Sequence, residues 1–265
     1  MTDDKTKLLD RLAEDSQQRM ALSHWMDLYQ RCRQRGLPCL SGFLSPAEQA
    51  LAGRLLQSLG ASAEEFAFSG GYPGAERQRL CFLPDWAQDA SALDEIRCLK
   101  VSVFPGSSLS HRDLLGSLMG SGLARDRIGD ILMQEDGAFV LVSEEMVPFL
   151  CQNWDSAGRV ALRVQELPRQ EFCPPLPQRQ EIRDTVASLR LDAVVAAGCR
   201  ISRSRAAELI AGGRVQQNYR DVLKGDSPVA CGDVISARGL GKFLVERCDG
   251  QSKKGRICVI LQRYG

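Results

Sequence analysis

The sequence predicts an α+β protein in three parts: N-terminal helices, a small sheet domain with helices on one face, and a C-terminal unit of two helices followed by strands. Three observations predict this order. Helical periodicity fills most of residues 1–62, alternating apolar strands separated by turn signals fill 63–167, and two short helical patterns precede short strands in 181–265. Residues 168–180 are rich in proline, and we expect them to form a linker.

The charge is distributed unevenly along the 265 residues. Residues 181–265 contain 15 Lys and Arg against 9 Asp and Glu, a net charge of +6, whereas the remainder contains 19 against 24, a net charge of −5. A basic C-terminal third predicts that nucleic acid contacts this part of the chain.

The ten cysteines and two histidines are scattered, and no Cys-x-x-Cys pair occurs. We therefore expect no metal and no cofactor, and buried, reduced thiols as in a cytosolic protein. Apolar runs are shorter than the roughly 20 residues that span a bilayer, and the polar N-terminus is unlike a signal peptide. The expectation is a cytoplasmic monomer that does not contact membranes.

Two helices are predicted in the N-terminal part. One pattern runs from about Lys5 to Arg35 and ends at Gly36. The second begins with a capping box, in which Ser45 is the N-cap and Glu48 the third helical residue, and ends at Gly60. The stripe of apolar residues around Trp25 is interpreted as core.

The middle part alternates strands and helices in the manner of a small α/β sandwich. A glycine-rich turn joins strands at 65–69 and 78–83 into a hairpin. Further strands are predicted at 96–104, 128–133, 138–143 and 159–166, and helices at 110–119 and 144–154. This order is typical of RRM-like or ferredoxin-like domains, although the aromatic signature of a true RRM is missing.

A second candidate RNA contact lies in this middle part. Ser110 is a good N-cap, so His111 and Arg112 stand at the mouth of a helix, where phosphate is favoured. Arg77 follows the glycine-rich turn and is a third candidate. The alternative interpretation, an exposed and well-capped helix start, stays open.

The C-terminal unit contains two short amphipathic helices. Gly198 is predicted to end the first, Ser202 to cap the second, and Gly212 with Gly213 to stop it. Asn218 and Tyr219 are predicted to turn the chain. Strands are expected at 214–217, 233–238, 242–247 and 257–261.

Arginines are concentrated around the start of the second helix. Unpaired backbone N–H groups and the positive end of the helix dipole favour phosphate there, and guanidinium groups add bidentate donors. The alternative is a solvated basic face. The candidate RNA-binding residues are Arg190, Arg200, Ser202, Arg203, Ser204, Arg205, Arg214, Asn218, Arg238, Gly239, Gly241 and Lys242.

Several segments of the chain resemble known RNA-binding proteins. Residues 190–192, 202–206, 209–210, 213–215, Asn218 and 232–236 are similar to the alpha-L RNA-binding module of small-subunit ribosomal protein four. The ending S-A-R-G-L-G-K-F at 236–243 resembles the YlmH family, as do Phe68 to Arg77, Leu109 to Gly122 and Ile128 to Ile131. Lys242 stands where arginine is common in that family.

This resemblance implies a protein that binds structured RNA without catalysis. The implied partners are ribosomal RNA and tRNA on the large ribosomal subunit carrying peptidyl-tRNA, in translation quality control, and some members are associated with bacterial cell division. No catalytic residue is assigned.

Two other classes of function stay open. The first is an RNA-modifying enzyme, because alpha-L modules are often fused to pseudouridine synthases and residues 190–192 are similar to their R-L-D motif. The Thr/Ser-Gly continuation of that motif is replaced here by Ala193, Val194 and Val195, so Asp192 is interpreted as a helix-start residue that pairs with a nearby arginine. The second is an adaptor linked to cell division that uses the N-terminal helices for protein contact.

Overall fold

A computed structural model describes residues 2–87, 95–174, 179–250 and 255–264. The chain divides into two compact units, Met1–Pro175 and Leu176–Gly265. The division falls within the predicted linker at 168–180, of which residues 175–178 lie outside the described residues.

The N-terminal helices of the first unit begin and end at identifiable caps. The single helix predicted over 5–35 is two helices, α1 (Thr2–Leu12) and α2 (Ser16–Arg35), because the side chain of Asp15 accepts a hydrogen bond from the backbone of Gln18 and starts a new helix. Gly36, in the left-handed conformation, ends α2 as predicted.

The predicted capping box is confirmed in α3 (Pro46–Leu59). Ser45 accepts from the backbone of Glu48, the Glu48 carboxylate accepts from the backbone of Ser45, and Gly60 ends the helix. A three-stranded antiparallel sheet packs against these helices in the order β1 (Cys39–Leu44), β3 (Gln78–Phe82) and β2 (Phe66–Ser69). The β2–β3 hairpin was predicted and β1 was not.

The rest of the first unit is a sheet with two helices on one face. The five-stranded antiparallel sheet has the order β5-β6-β4-β8-β7. The pattern β4-α4-β5-β6-α5-β8, with β4 and β6 in the centre, is the ferredoxin-like plan that the sequence predicted. The elements are β4 (Ile96–Val103), α4 (His111–Gly120), β5 (Ile128–Gln134), β6 (Gly137–Ser143), α5 (Val147–Asn153), β7 (Ser156–Ala157) and β8 (Val160–Leu167).

Both faces of this middle sheet take part in packing. Leu99 and Val140 pack with Leu114 of α4 and Leu150 of α5 on the helical face. On the opposite face, the ring of Phe172 makes edge-to-face contacts with Phe139 and Tyr72, at centroid distances of 5.6 and 5.8 Å. An RRM uses this second face to stack bases, and here part of it is covered by the protein's own aromatic rings.

The second unit contains two helices on a six-stranded antiparallel sheet. Its strand order is β11-β10-β12-β13-β14-β9. The elements are β9 (Arg179–Val186), α6 (Leu191–Cys199), α7 (Arg203–Ala211), β10 (Val215–Gln217), β11 (Arg220–Asp221), β12 (Val234–Ala237), β13 (Gly241–Arg247) and β14 (Ile257–Tyr264). Strand β9 was not predicted, and it pairs with β14 along its whole length, from Val186 opposite Ile257 to Arg179 opposite Tyr264.

The role predicted for Gly198 is wrong. Helix α6 continues to Cys199, and Arg200 adopts the left-handed conformation that ends it, with φ 54°. Gly198 instead lies against Phe243, where an added Cβ would come within 2.6 Å of the ring. The glycine is therefore required by packing between α6 and β13. The predicted stop of α7 at Gly212 is confirmed.

The expectation of reduced cysteines is also wrong at one pair. Cys231 and Cys248 form a disulfide that joins the segment before β12 to the end of β13, with Cα atoms 5.8 Å apart. Among the free thiols, those of Cys151 and Cys173 are exposed rather than buried.

Candidate nucleic-acid interface

The start of α7 is open to solvent, as a phosphate site requires. Ser202 is the N-cap, and its hydroxyl oxygen accepts from the backbone N–H of Arg205 at 3.2 Å. Arg203, Ser204 and Arg205 occupy the first helical turn and are exposed. The sequence-predicted cap, helix start and arginines therefore coincide in space.

Asp192 holds two of the candidate arginines together. It is only 7 % exposed and lies in the first turn of α6. Its Oδ1 accepts from Nε of Arg190 at 3.3 Å, and Nη2 of Arg203 donates to both carboxylate oxygens at 3.1 Å. The carboxylate thereby fixes one guanidinium from each helix start, while half of the Arg203 side chain stays exposed.

The charge of Asp192 is stabilised by this arrangement. Burial raises the pKa of the carboxyl, but the hydrogen bonds and positive charges of Arg190 and Arg203 outweigh burial and hold the pKa below its usual value. Asp192 therefore carries a negative charge at neutral pH. Its contacts with Arg190 and Arg203 confirm the interpretation of this residue as a partner for a nearby arginine.

Two other candidate cations lie beside the same helix start. Arg200 is exposed in its left-handed position two residues before Ser202. Arg205 forms an exposed ion pair with Glu208, one turn further along α7, at 2.7 Å. Because this pair is exposed, it costs little to exchange Glu208 for a phosphate.

A second group of candidates forms at the turn between β12 and β13. The backbone N–H of Arg238 donates to the carbonyl of Arg214 at 2.9 Å, and Nη2 of Arg214 lies 3.4 Å from the carbonyl of Arg238. Gly239, with φ +81°, turns the chain beside them. Arg214 and Arg238 are both exposed, so the structure brings together two arginines that are distant in the sequence.

The third group of candidates, Gly241 and Lys242, lies at the start of β13, beside the end of β14. The ammonium of Lys242 lies 4.5 Å from the ring centroid of Tyr264, and the guanidinium carbon of Arg179 lies 5.2 Å from the same centroid. Gly241 has a φ of +115°, and an added Cβ would lie 3.3 Å from the guanidinium of Arg263. Sequence reasoning missed Arg179 and Tyr264 because their proximity depends on the β9–β14 pairing.

Asn218 has its polar atoms engaged inside the domain. Its Oδ1 accepts from the backbone of Val234 at 2.9 Å, and its Nδ2 donates to Asp233 at 2.7 Å. Its positive φ of 50°, with 64° at Tyr219, builds the tight turn between β10 and β11. These bonds give Asn218 a structural role.

The candidates in the first unit differ from one another in exposure. His111 and Arg112 are exposed at the start of α4, where Ser110 and Asp113 form a capping box. Arg77 is half-buried and donates to the carbonyls of Ile128 and Phe43 at 3.0 and 2.8 Å. Arg77 therefore fixes β1 to β5, which makes it a structural residue.

The glycine-rich segment near Arg77 is fixed by a single carboxylate. Asp130 on β5 accepts from the hydroxyl of Tyr72 at 2.6 Å and from the backbone of Glu76 and Arg77 at 2.7 and 2.9 Å. Burial, reinforced by the hydrogen bond to Asp130, raises the pKa of Tyr72 well above its usual value. Two of the segments that carry the family resemblance thus meet in one structural network.

Neither a metal centre nor a membrane span is found in the described part of the chain. No three His, Cys, Asp or Glu side chains within residues 2–87, 95–174, 179–250 and 255–264 are grouped to hold a metal ion. Over the same ranges, no helix has the length and apolar character to cross a bilayer.

Together, these features define an RNA-binding protein with a C-terminal alpha-L domain, and residues 189–235 match the model of the S4 domain. The chain belongs to the YlmH family. Residues 17–85 match the model described as "YlmH, N-terminal", and residues 104–171 match the "Putative RNA-binding domain in YlmH".

One relative supports this family assignment, and one solved structure shares part of the fold. It is 34 % identical over 225 residues to the "Ribosome-associated protein quality control protein P2" of Bacillus subtilis, covering 84 % of this chain and 86 % of that protein. The solved "Cell division protein ylmH from Streptococcus pneumoniae" has the same fold, with a TM-score of 0.50, 22 % identity, and coverage of 60 % of this chain and 96 % of that one.

Proposed function

We propose that this protein binds ribosomal RNA and tRNA without catalysing a reaction, on the large ribosomal subunit carrying peptidyl-tRNA, in translation quality control. The observation that carries the proposal is the pair of guanidinium groups, Arg190 and Arg203, that Asp192 holds at the open start of α7. Fixed guanidinium groups lose little entropy on meeting phosphate, and the helix start adds backbone donors. The printed name of the Bacillus relative supports the ribosomal setting.

The environment of Asp192 favours binding over RNA modification. A catalytic aspartate must reach the substrate, whereas Asp192 is buried and accepts hydrogen bonds from two arginines. The R-L-D sequence at 190–192 is thus explained by the ion pairs. This observation supports a non-catalytic role.

The cation groups predict how binding depends on salt. Each of these cations is able to neutralise a phosphate: Arg190, Arg203 and Arg205 at the helix starts, Arg214 and Arg238 at the β12–β13 turn, and Lys242. His111 and Arg112 are proposed as a separate contact made by the first unit. Log affinity should fall with log salt by about 0.7–0.9 per phosphate contact.

The proposal is tested by sedimenting the tagged chain from a bacterial lysate and sequencing the RNA crosslinked to it. Co-migration with large subunits, with crosslinks to large-subunit RNA and tRNA, is the expected result and would place the protein in the cytoplasm as a ribosomal factor. Migration with free protein and no enriched RNA would contradict the proposal. An unchanged reverse-transcription profile of carbodiimide-treated RNA after incubation is expected, because this readout also detects pseudouridine, which has the same mass as uridine. A modified base would favour the enzyme alternative.

A further inference from the structure

A cavity of about 280 Å³ lies between β9 and α6 in the second unit. This volume is close to the lower end of the roughly 300–1,000 Å³ found for small-molecule sites. Small apolar side chains of α6 form one wall, and polar side chains stand around the opening. The apolar lining includes Ala193, Ala196 and Ala197 of α6 and Val186 of β9, and the polar groups are Asp184, Thr185, Arg203 and Arg256.

Asp184 of β9 lines the cavity opposite the alanines of α6. Side chains two residues apart on a strand point to the same face. Ile182 and Val186 are buried in the core, and Asp184 between them lies on the same face of β9, paired with Val259 of β14. Asp184 itself is exposed, because the cavity opens to solvent beside it. An aspartate on this face of β9 and alanines on α6 leave less side-chain volume here than large apolar residues would.

The charges around the cavity suit a nucleotide. Arg203 belongs to the proposed RNA-binding surface, and Arg256 is held by donating to the carbonyl of Thr185 at 2.5 Å. Asp184 accepts from the backbone of Thr185 at 2.7 Å, and a carboxylate retains further lone pairs. A nucleotide offers a phosphate for guanidinium groups, flat faces for the alanine wall, and base-edge amino groups for a carboxylate.

We propose that this cavity receives one unpaired base of the bound RNA, with Asp184 favouring bases that carry an exocyclic amino group over uracil. The inference rests on the proposed function, because it requires the second unit to bind RNA. Unstacked bases are the usual targets of sequence-selective RNA recognition, since their edges are accessible. Arg203 would hold the phosphate of the same nucleotide whose base enters the cavity.

The test measures binding of the full chain to RNA hairpins with one common stem. One hairpin has no bulge, and four others carry a single bulged A, C, G or U. We expect the A, C and G hairpins to bind about tenfold tighter than the unbulged hairpin. The U hairpin should bind about threefold more weakly than these three, because it lacks the amino donor.

Two variants separate the cavity from the rest of the surface. Ala196→Leu fills the cavity and should abolish the bulge preference without changing affinity for the unbulged hairpin. Its matched control is Ala207→Leu, at an exposed position of α7 that does not line the cavity, which should bind like the wild type. Asp184→Ala should keep the bulge preference but lose the distinction between U and the other bases.

One further measurement uses only the wild-type chain, so its outcome does not depend on whether a variant folds. With 2-aminopurine as the bulged base, binding should change its fluorescence, because the base leaves the hairpin for the cavity. Equal affinity of the wild type for bulged and unbulged hairpins would overturn the inference while leaving RNA binding in place, as would an Ala196→Leu variant that keeps the preference. A wild-type chain that binds none of the hairpins would overturn the inference and count against the proposed function.

Discussion

Arg203 reaches across from the first turn of α7 to Asp192 in the first turn of α6, with Nη2 3.1 Å from each carboxylate oxygen. This contact joins the starts of the two helices that the sequence resemblance singles out. It also fixes the direction of a side chain that is half exposed, so part of the guanidinium remains available to a ligand. The same contact therefore has a part in stability and a part in the proposed binding.

Replacing Asp192 by Asn should destabilise the second unit by about 1–2 kcal/mol at pH 7, because the charged hydrogen bonds are lost. The folded-state pKa of Asp192 lies below its ordinary value, so its contribution is complete above that value and is lost as the pH falls through the folded-state pKa. The difference between wild type and Asp192→Asn should shrink as the pH is lowered below about 4.

The measurement is urea unfolding followed by circular dichroism at pH 7 and at pH 3. Tryptophan fluorescence identifies the transition of the first unit, because Trp25, Trp86 and Trp154 all belong to it. An equal difference between the two proteins at both pH values would contradict the assigned role.

Replacing Arg203 and Arg205 together by Gln should weaken the proposed ribosome binding. The salt slope should fall by about 1.4–1.8 if each arginine neutralises one phosphate as proposed. Glutamine is preferable to glutamate, which at position 203 would face Asp192. Arg31→Gln with Arg35→Gln is the matched control, since it removes two exposed arginines from α2. If both variants lowered the slope of log affinity against log salt equally, RNA would be attracted by overall charge and not by a site at α7.

Replacing Asp130 by Ala should destabilise the first unit by about 2 kcal/mol, because the hydroxyl of Tyr72 and two backbone N–H groups lose their acceptor. Tryptophan fluorescence during denaturant unfolding measures the effect. Glu135→Ala, on the exposed β5–β6 turn, is the control and should leave stability unchanged. An Asp130→Ala protein of normal stability would mean that the network is not needed for folding.

Replacing Gly198 by Ala should destabilise the second unit by about 1–3 kcal/mol, because the new methyl group would overlap the ring of Phe243. Gly53→Ala in α3 is the matched helical control. An added Cβ there meets nothing within 4 Å, so that variant should gain about 0.5–1 kcal/mol. Thermal unfolding followed by circular dichroism measures whether each variant is destabilised or stabilised. A stabilised Gly198→Ala variant would refute the packing role.

Features that depend on neighbouring residues could be predicted from the sequence. The capping boxes at Ser45 and Ser110 fixed two helix starts because the bonds that make them span three residues. The alternation of apolar residues located four strands of the middle sheet. The predicted cluster of arginines at α7 is present because it lies on a single helical turn.

Features that depend on distant residues could not be predicted. Strand β9 has only two buried residues, Ile182 and Val186, and its partner β14 lies far along the chain. Gly198 was assigned to a helix end because nothing near it in the sequence indicates Phe243. The surroundings of Asp184 and Lys242 were missed for the same reason, since both depend on the β9–β14 ladder.

Strand β9 lies at the edge of its sheet, and the strand that pairs with it, β14, is made only after residues 187–256. During synthesis, the wall of the cavity that carries Asp184 therefore has no strand to pair with until β14 has left the exit tunnel. Helices α6 and α7, which carry the arginines, can pack on each other sooner, because they are adjacent in the chain. In a nascent copy the cations of α6 and α7 should therefore be in place before β9 is paired, so the proposed base preference should arise later than general affinity for RNA.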